Sequence, residues 1–355
     1  MSAIRAWTLL RRLYPVAAFF GGFAWDALTI GQRIRVVDFW RLGSFLLGAA
    51  LLTLWLARRE ALGKTAPTLE SSLRGRAAGL AWQAPYLLLQ FFFGGIFSAL
   101  FILYFKSSGH LGTWLMTAFL AALLVGNEFA GERYGRRFTL TWTLFALNAI
   151  LLFNFALPHA LGSLDPLWFY VSTATGVVLT LGLRWLAPGR PGRSGPAAGL
   201  AVLLILAFSL DMIAPVPLVK RQMAVGQEAG RYAVQVERAA WWQWWRDQAG
   251  TVHVPEGGRL YGVSAVFAPL GVTAALEHRW EVRAAGGWRQ VYRRPFQTTG
   301  GRDRGFRGYS WVLNPPPGDW RFIVATQDGR TIDILRFSIE QSAPAGEELR
   351  LREFN

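Results

Sequence analysis

Seven blocks of mainly apolar residues fill most of the first 219 positions of this chain, and nothing else in the sequence restricts its fold so strongly. They run approximately Leu13–Ile30, Arg41–Ala57, Ala84–Phe105, Leu111–Asn127, Phe138–Leu157, Pro166–Ala187 and Ala198–Val219. About 20 such residues in a helix cross a hydrocarbon layer of about 30 Å, and backbone in lipid must satisfy its own hydrogen bonds. Each block is therefore expected to be a transmembrane helix. The first follows Arg5, Arg11 and Arg12, and no small-residue cleavage site appears before Trp25–Asp26. It is expected to be a retained helix rather than a signal peptide.

Charge sets the orientation. Residues 1–219 hold 18 Lys and Arg against 8 acids, and residues 220–355 hold 19 against 14, so the basic excess belongs chiefly to the helical part. With the N-terminus in the cytoplasm, inside segments carry 14 of the basic residues before Val219 and outside loops carry 4 (Arg33, Arg35, Arg41 and Lys106). This is the positive-inside asymmetry of short loops, and seven spans then place the C-terminal domain outside the cytoplasm. Trp55, Tyr104, Trp168, Tyr170 and Trp185 fall near expected span ends, where amphipathic rings favour the interface.

After Val219 the pattern changes to short alternating runs divided by turns, as in antiparallel sheet. In Leu276–Val282, Leu276, His278, Trp280 and Val282 face one way and Glu277, Arg279 and Glu281 the other. Gly286–Gly287 suits a tight hairpin leading into Trp288–Phe296. Further strands are expected at Arg231–Glu237, Leu260–Ala268, Phe306–Leu313, Trp320–Thr326 and Thr331–Ile339. In the last of these the apolar phase shifts between Ile334 and Leu335, as a bulge would do. The expected architecture is multi-domain α + β: a polytopic helical membrane bundle over 1–219, a Trp-rich connector over 220–250, and an immunoglobulin-like antiparallel β-sandwich over 251–355. A small barrel is the alternative. Trp241, Trp242, Trp244 and Trp245 fit equally a place in the membrane interface and one under the sandwich.

Several residues in this region resemble the domain of unknown function 2914. They are Tyr261–Pro269 (YGVSAVFAP), His278–Arg279–Trp280, Gly300–Gly301–Arg302, Gly305–Phe306–Arg307, Ser310–Trp311, Gly318–Asp319–Trp320–Arg321, Asp328–Gly329 and Arg336–Phe337. The helical part, with GGFAWDALT at 21–29 and GNEF at 126–129, is similar to what precedes that module in bacterial inner-membrane proteins. The resemblance implies an inner-membrane protein with a periplasmic C-terminal domain. It implies no activity and carries no functional residue.

The chain has no cysteine, which excludes disulfides, thiolate catalysis and Cys-ligated metal sites. His110, His159, His253 and His278 show no metal-ligand spacing, so neither metal nor cofactor is expected. No nucleophile elbow or phosphate-binding Gly-rich loop occurs, and Ser264, Ser310 and Ser338 have no base beside them in sequence. The expected protein is not an enzyme. A surplus of +5 over 136 residues outside the cytoplasm is a poor footprint for nucleic acid.

Charged groups within spans are the first functional candidates. Asp26 and Asp211 each lie about 14 residues into a span, roughly 21 Å up at 1.5 Å per residue. Two carboxylates at one depth would suit a transporter or proton-coupled protein, whereas separate pairing with Arg33, Arg35 or backbone donors would be structural. Glu128 and Arg184 are expected to form an ion pair near the cytoplasmic face, and Gln90, Asn148 and Asn154 to hydrogen-bond between helices. In the β domain, alternation gives Arg307, Tyr309, Trp311 and Leu313 one face, with Arg289 and Arg293 as expected neighbours. Arginine beside aromatic rings suits a sugar or an anionic head group. The expected function is a non-enzymatic envelope protein, set in the lipid bilayer, whose β domain binds a protein, glycan or lipid head group.

Overall fold

The computed structural model describes residues 36–63, 73–130, 133–230, 232–244, 246–342 and 349–354. The expected first span, with Asp26, lies outside them. The chain divides into a helical unit, drawn from residues up to Leu103 with Met116–Leu157 and Leu167–Phe208, and a second unit of Tyr104–Leu115, Pro158–Pro166 and Ser209–Asn355.

Among the described residues the helices are α1 (Val36–Ala61), α2 (Leu73–Ser107), α3 (Leu111–Asn127), α4 (Arg133–Arg136), α5 (Phe138–Leu161), α6 (Pro166–Leu186) and α7 (Gly195–Ser209). Four stretches, Val37–Ala61, Ala81–Ser107, Phe138–Leu161 and Pro166–Leu186, are long and apolar enough to cross a membrane. Helices α3 and α7 are apolar but shorter, at 17 and 15 residues. Leu47, Phe91, Val178 and Leu203 stand outward on these helices, a surface suited to lipid. Small residues bring α1 and α2 together: a Cβ on Gly48 would come 2.6 Å from the Phe92 ring, and one on Gly95 would come 2.6 Å from the Phe45 ring.

The expected seventh span, Ala198–Val219, is corrected. The helix starts earlier and stops at Ser209, because Asp211 takes a left-handed conformation (φ 56°) that terminates it, and Pro215 and Pro217 lack N–H donors. Val219 then opens a strand.

Among the described residues the second unit is built on two five-stranded sheets. Its strands are β1 (Val219–Gly230), β2 (Ala233–Glu237), β3 (Thr251–His253), β4 (Arg259–Phe267), β5 (Thr273–Ala284), β6 (Gly287–Thr299), β7 (Phe306–Leu313), β8 (Gly318–Thr326), β9 (Thr331–Glu340) and β10 (Leu349–Glu353). The first sheet has the order β10-β2-β1-β4-β7 and the second β3-β9-β8-β5-β6. All neighbours are antiparallel except β3 and β9. Gly162 and Leu164, in the turn between α5 and α6, hydrogen-bond to Thr273 at the start of β5.

The core between the sheets joins Leu260 and Val266 of β4 to Leu276, Trp280, Phe322 and Phe337 of the second sheet. Gly262 is required there, since a Cβ would come 2.6 Å from Trp280 and 2.7 Å from Phe322. On the other face of β4, Tyr261, Val263 and Ala265 form a smaller cluster with Val234, Val236 and Phe354.

Residues 220–250 are therefore not a connector, because they supply β1 and β2 to the first sheet. Strand β1 escapes the sequence reading because only Met223–Gly226 in its middle is buried, so apolar alternation never develops. The hairpin β5–β6 forms as expected, with Ala284 opposite Gly287. The bulge in β9 falls at Ile332, two residues before the expected place, since Ala325 pairs with Thr331 and Val324 with Asp333.

Candidate functional site

Strand β7 alternates as the sequence indicates, and the tertiary structure decides which face is outside. Gly308, Ser310 and Val312 point into the domain, while Trp311 is 37% and Leu313 57% exposed, with Arg307 and Tyr309 half-buried beside them. The Tyr309 ring meets Tyr232 edge-on at 5.8 Å. Arg307 lies 5.6 Å from the Tyr232 ring, Arg294 5.0 Å from Tyr309, and Arg259 4.9 Å from Trp311. This surface offers guanidinium forks and ring edges to an anionic or sugar-bearing partner. Tyr232, Arg259 and Arg294 were not singled out from sequence, since they sit on other segments. Strand pairing brings Arg259 of β4 to β7, and only the packing of the domain brings Arg294 of β6 and Tyr232 there.

Arg293, expected in this group, belongs elsewhere. Its Nε and Nη2 both contact the carboxylate of Glu277, which is buried and also lies 3.4 Å from Arg279. Arg321 donates likewise to the buried Glu281 from Nε at 2.5 Å and stacks 4.6 Å from the Trp288 ring. The outer face of β5 is thus a set of closed ion pairs. It is Arg294, pointing the other way, that reaches Tyr309.

His278 is fully buried. One ring nitrogen lies 2.7 Å from Ser264 Oγ, the other 3.0 Å from Ser310 Oγ, and Ser310 Oγ also accepts from Trp280 Nε1 at 2.8 Å. Burial, and then the nearby Arg294, lower its pKa to about 3, so the ring is neutral, with one nitrogen donating and the other accepting. The arrangement ties β5 to β4 and β7 with no access for a substrate. Among the described residues no group of three or more His, Asp and Glu is placed to hold a metal.

The charged candidates of the helical part separate. Asp211 follows α7 in a turn of the second unit, where both carboxylate oxygens accept from Thr331 N at 3.1 Å and Oδ2 lies 3.5 Å from His110 Nε2. It is not a mid-helix group, and Asp26, with which it was expected to share a depth, lies outside the described residues. Glu128 and Arg184 do not pair: Arg184 Nη2 donates to the carbonyls of Arg190 (3.1 Å) and Gly192 (2.7 Å), closing the α6–α7 loop. Gln90 does join helices, donating to Glu128 O at 3.1 Å. Asn148 is buried, and its amide has no hydrogen-bond partner among the described residues. Sequence reading missed Tyr134 and the ring partners of Arg59 here. Tyr134 donates to Asn127 Oδ1 at 2.5 Å, and Asn127 donates to Gln90 O at 3.0 Å. Arg59 is buried 3.4 Å from the Trp82 ring and donates to Tyr86 Oη at 2.7 Å.

The Trp segment is not core. Trp241 is 92%, Trp242 54% and Trp244 85% exposed, and Trp245 lies outside the described residues.

Fold and site together define a class: a chain of apolar helices joined to a mainly antiparallel two-sheet domain with an outward arginine–aromatic face. Residues 274–339, from β5 to β9, match the family described as protein of unknown function (DUF2914). No curated protein matches the chain. Among solved structures, an immunoglobulin-like protein from Pseudomonas aeruginosa is similar at 11% identity over 33% of this chain and 97% of its own, with a TM-score of 0.20. An alkylpurine DNA glycosylase from Pseudomonas fluorescens, bound to DNA containing an abasic site analogue, is similar at 12% identity over 82% of this chain and 76% of its own, with a TM-score of 0.21.

Proposed function

We propose that this chain is a non-enzymatic protein of the bacterial inner membrane, spanning it about seven times, whose periplasmic β domain binds a protein, glycan or lipid head group. The observation that carries the reading is the outward row of Arg307, Tyr309, Trp311 and Leu313, with Arg259, Arg294 and Tyr232 beside it. Arginine and aromatic side chains dominate binding energy at interfaces. The 14-to-4 distribution of basic residues supports a cytoplasmic N-terminus and a periplasmic domain. The exposed Trp241, Trp242 and Trp244 support contact of the same domain with an interface, lipid or protein.

The absence of cysteine permits a direct test. A single cysteine replaces Leu313, which is exposed, rather than Ser310, which is buried against His278 and Trp280. Cells with a permeabilised outer layer are treated with a membrane-impermeant thiol crosslinker. A discrete protein adduct that disappears with Arg307→Gln supports a protein partner. Labelling without an adduct assigns the face to a glycan or lipid, and absence of labelling overturns the periplasmic placement.

A further inference from the structure

A cavity of about 530 Å³ opens in the second unit, away from the β7 face. Its wall comes from Gly109–Leu111 and Trp114, from the start of β1, from segment 246–249 and from β9. Strand pairing explains why it exists. Strand β4 runs along β1 from Val219 to Gly226, but β2 pairs with β1 only from Gln227 onward, so the first part of β1 has an edge without a strand neighbour. Segment 246–249 covers that edge, and Gln248 Oε1 accepts from Val225 N at 3.0 Å in place of a strand. The side chain is 4% exposed, and its Nε2 has no hydrogen-bond partner among the described residues. A buried amide donor on a cavity wall is costly unless something accepts from it.

Charge indicates what that acceptor is. Lys220, Arg221, Arg246 and Arg336 line the cavity against two carboxylates, Asp247 and Asp333. Asp333 is held by Lys220 at 2.7 Å and Asp247 by Arg352 at 3.4 Å, while Asp303 acts on Arg221 from outside the lining. Two positive charges on the lining are left in excess, and three of the four cations are arginines, whose planar forks match phosphate oxygens. The volume exceeds what a lone ion fills, and the Trp114 ring and Leu335 give apolar wall for an attached organic group.

We propose that this cavity binds the phosphate group of an organic phosphate, held by Arg246 and Arg336 at its mouth and by Gln248 Nε2 at its wall. The phosphate comes from a phospholipid head group or from a soluble phosphate monoester. The site is distinct from the β7 face, so each stands or falls separately.

The full chain is placed in nanodiscs of phosphatidylcholine, and its thermal midpoint is followed during titration with glycerol 1-phosphate. A parallel set replaces part of the lipid with phosphatidic acid, and a control set replaces the same part with phosphatidylserine. Arg246 and Arg336 are exposed, so Arg246→Gln with Arg336→Gln is expected to keep the midpoint without ligand. Stabilisation by glycerol 1-phosphate assigns a soluble ligand. Stabilisation by phosphatidic acid alone, beyond phosphatidylserine, assigns a lipid. In either case the double variant is expected to weaken binding about tenfold or more, as loss of charge-assisted hydrogen bonds does. The exposed Arg289→Gln on β6 leaves it unchanged. No stabilisation by either probe, or equal effects of Arg289→Gln and the double variant, overturns the proposal.

Discussion

The Oγ of Ser264 and a ring nitrogen of His278 lie 2.7 Å apart in the interior of the β domain, joining a strand of one sheet to a strand of the other. Ser310 completes the joint from β7 and also takes the Trp280 indole N–H. Removing a buried partner leaves the remaining polar group desolvated, which costs about 1–3 kcal/mol. Ser310→Ala strips partners from both His278 and Trp280 and is expected to lower stability more than Ser264→Ala. Thermal unfolding of the two variants compares them directly.

The same histidine makes the domain acid-sensitive. Its pKa, about 3 when folded, is below the usual histidine value of about 6.5 that the unfolded chain has. The unfolded state thus binds the extra proton first as pH falls. Stability is lost between those two values by on the order of 1 kcal/mol per pH unit. Replacing His278 with Phe should lower the midpoint at neutral pH yet flatten the acid limb of midpoint against pH.

His253 acts with the opposite sign. Its Nδ1 lies 2.7 Å from Glu237 Oε2, and its backbone N–H donates to Glu237 Oε1 at 2.8 Å, linking β3 to β2 across the two sheets. The side-chain hydrogen bond to Glu237 raises its pKa, so its stabilisation is complete below the unfolded value and fades as pH rises through the raised folded value. His253→Gln is expected to remove a decline in midpoint as pH rises above the unfolded histidine value. A decline unchanged in the variant would place its origin elsewhere.

Arg293 and Arg307 are expected to separate stability from binding. Arg293→Gln takes the main partner from the buried Glu277 and should cost about 1–3 kcal/mol while leaving the Leu313-cysteine adduct intact. Arg307→Gln, on the outer face, should change stability by no more than about 0.5 kcal/mol and abolish the adduct. The reverse pattern would remove the β7 face from the binding reading.

Asp211 is expected to behave as a structural acceptor. Asp211→Ala leaves Thr331 N without its partner next to the β9 bulge and should lower the midpoint, by about 1–2 kcal/mol of stability. Asp211→Asn keeps one carbonyl oxygen for that N–H and should retain most of the stability.

Two periodicities, both properties of near neighbours along the chain, were legible without coordinates. Apolar blocks located helices such as Leu111–Asn127, and alternation located the β5–β6 hairpin and the shared face of Arg307, Tyr309 and Trp311. Alternation defines two faces of a strand but not which one meets the other sheet; only the packing of β7 turned Ser310 inward and Trp311 outward. Nor does it reveal partners distant in sequence: Ser264 and Ser310 reach His278 from 14 and 32 residues away, and Glu277 captures Arg293 because β5 and β6 pair in one register. Hydropathy averaged Asp211 into a span, although a carboxylate is far better placed against a backbone N–H than in lipid, and the chain left the helix to put it there. Local pattern depends on the free energy of residues a turn or a pleat apart, which the sequence displays directly. Choice of face, of ion partner and of the cavity beside β1 depends on which strands become neighbours, and that is set only when the whole domain closes around one core.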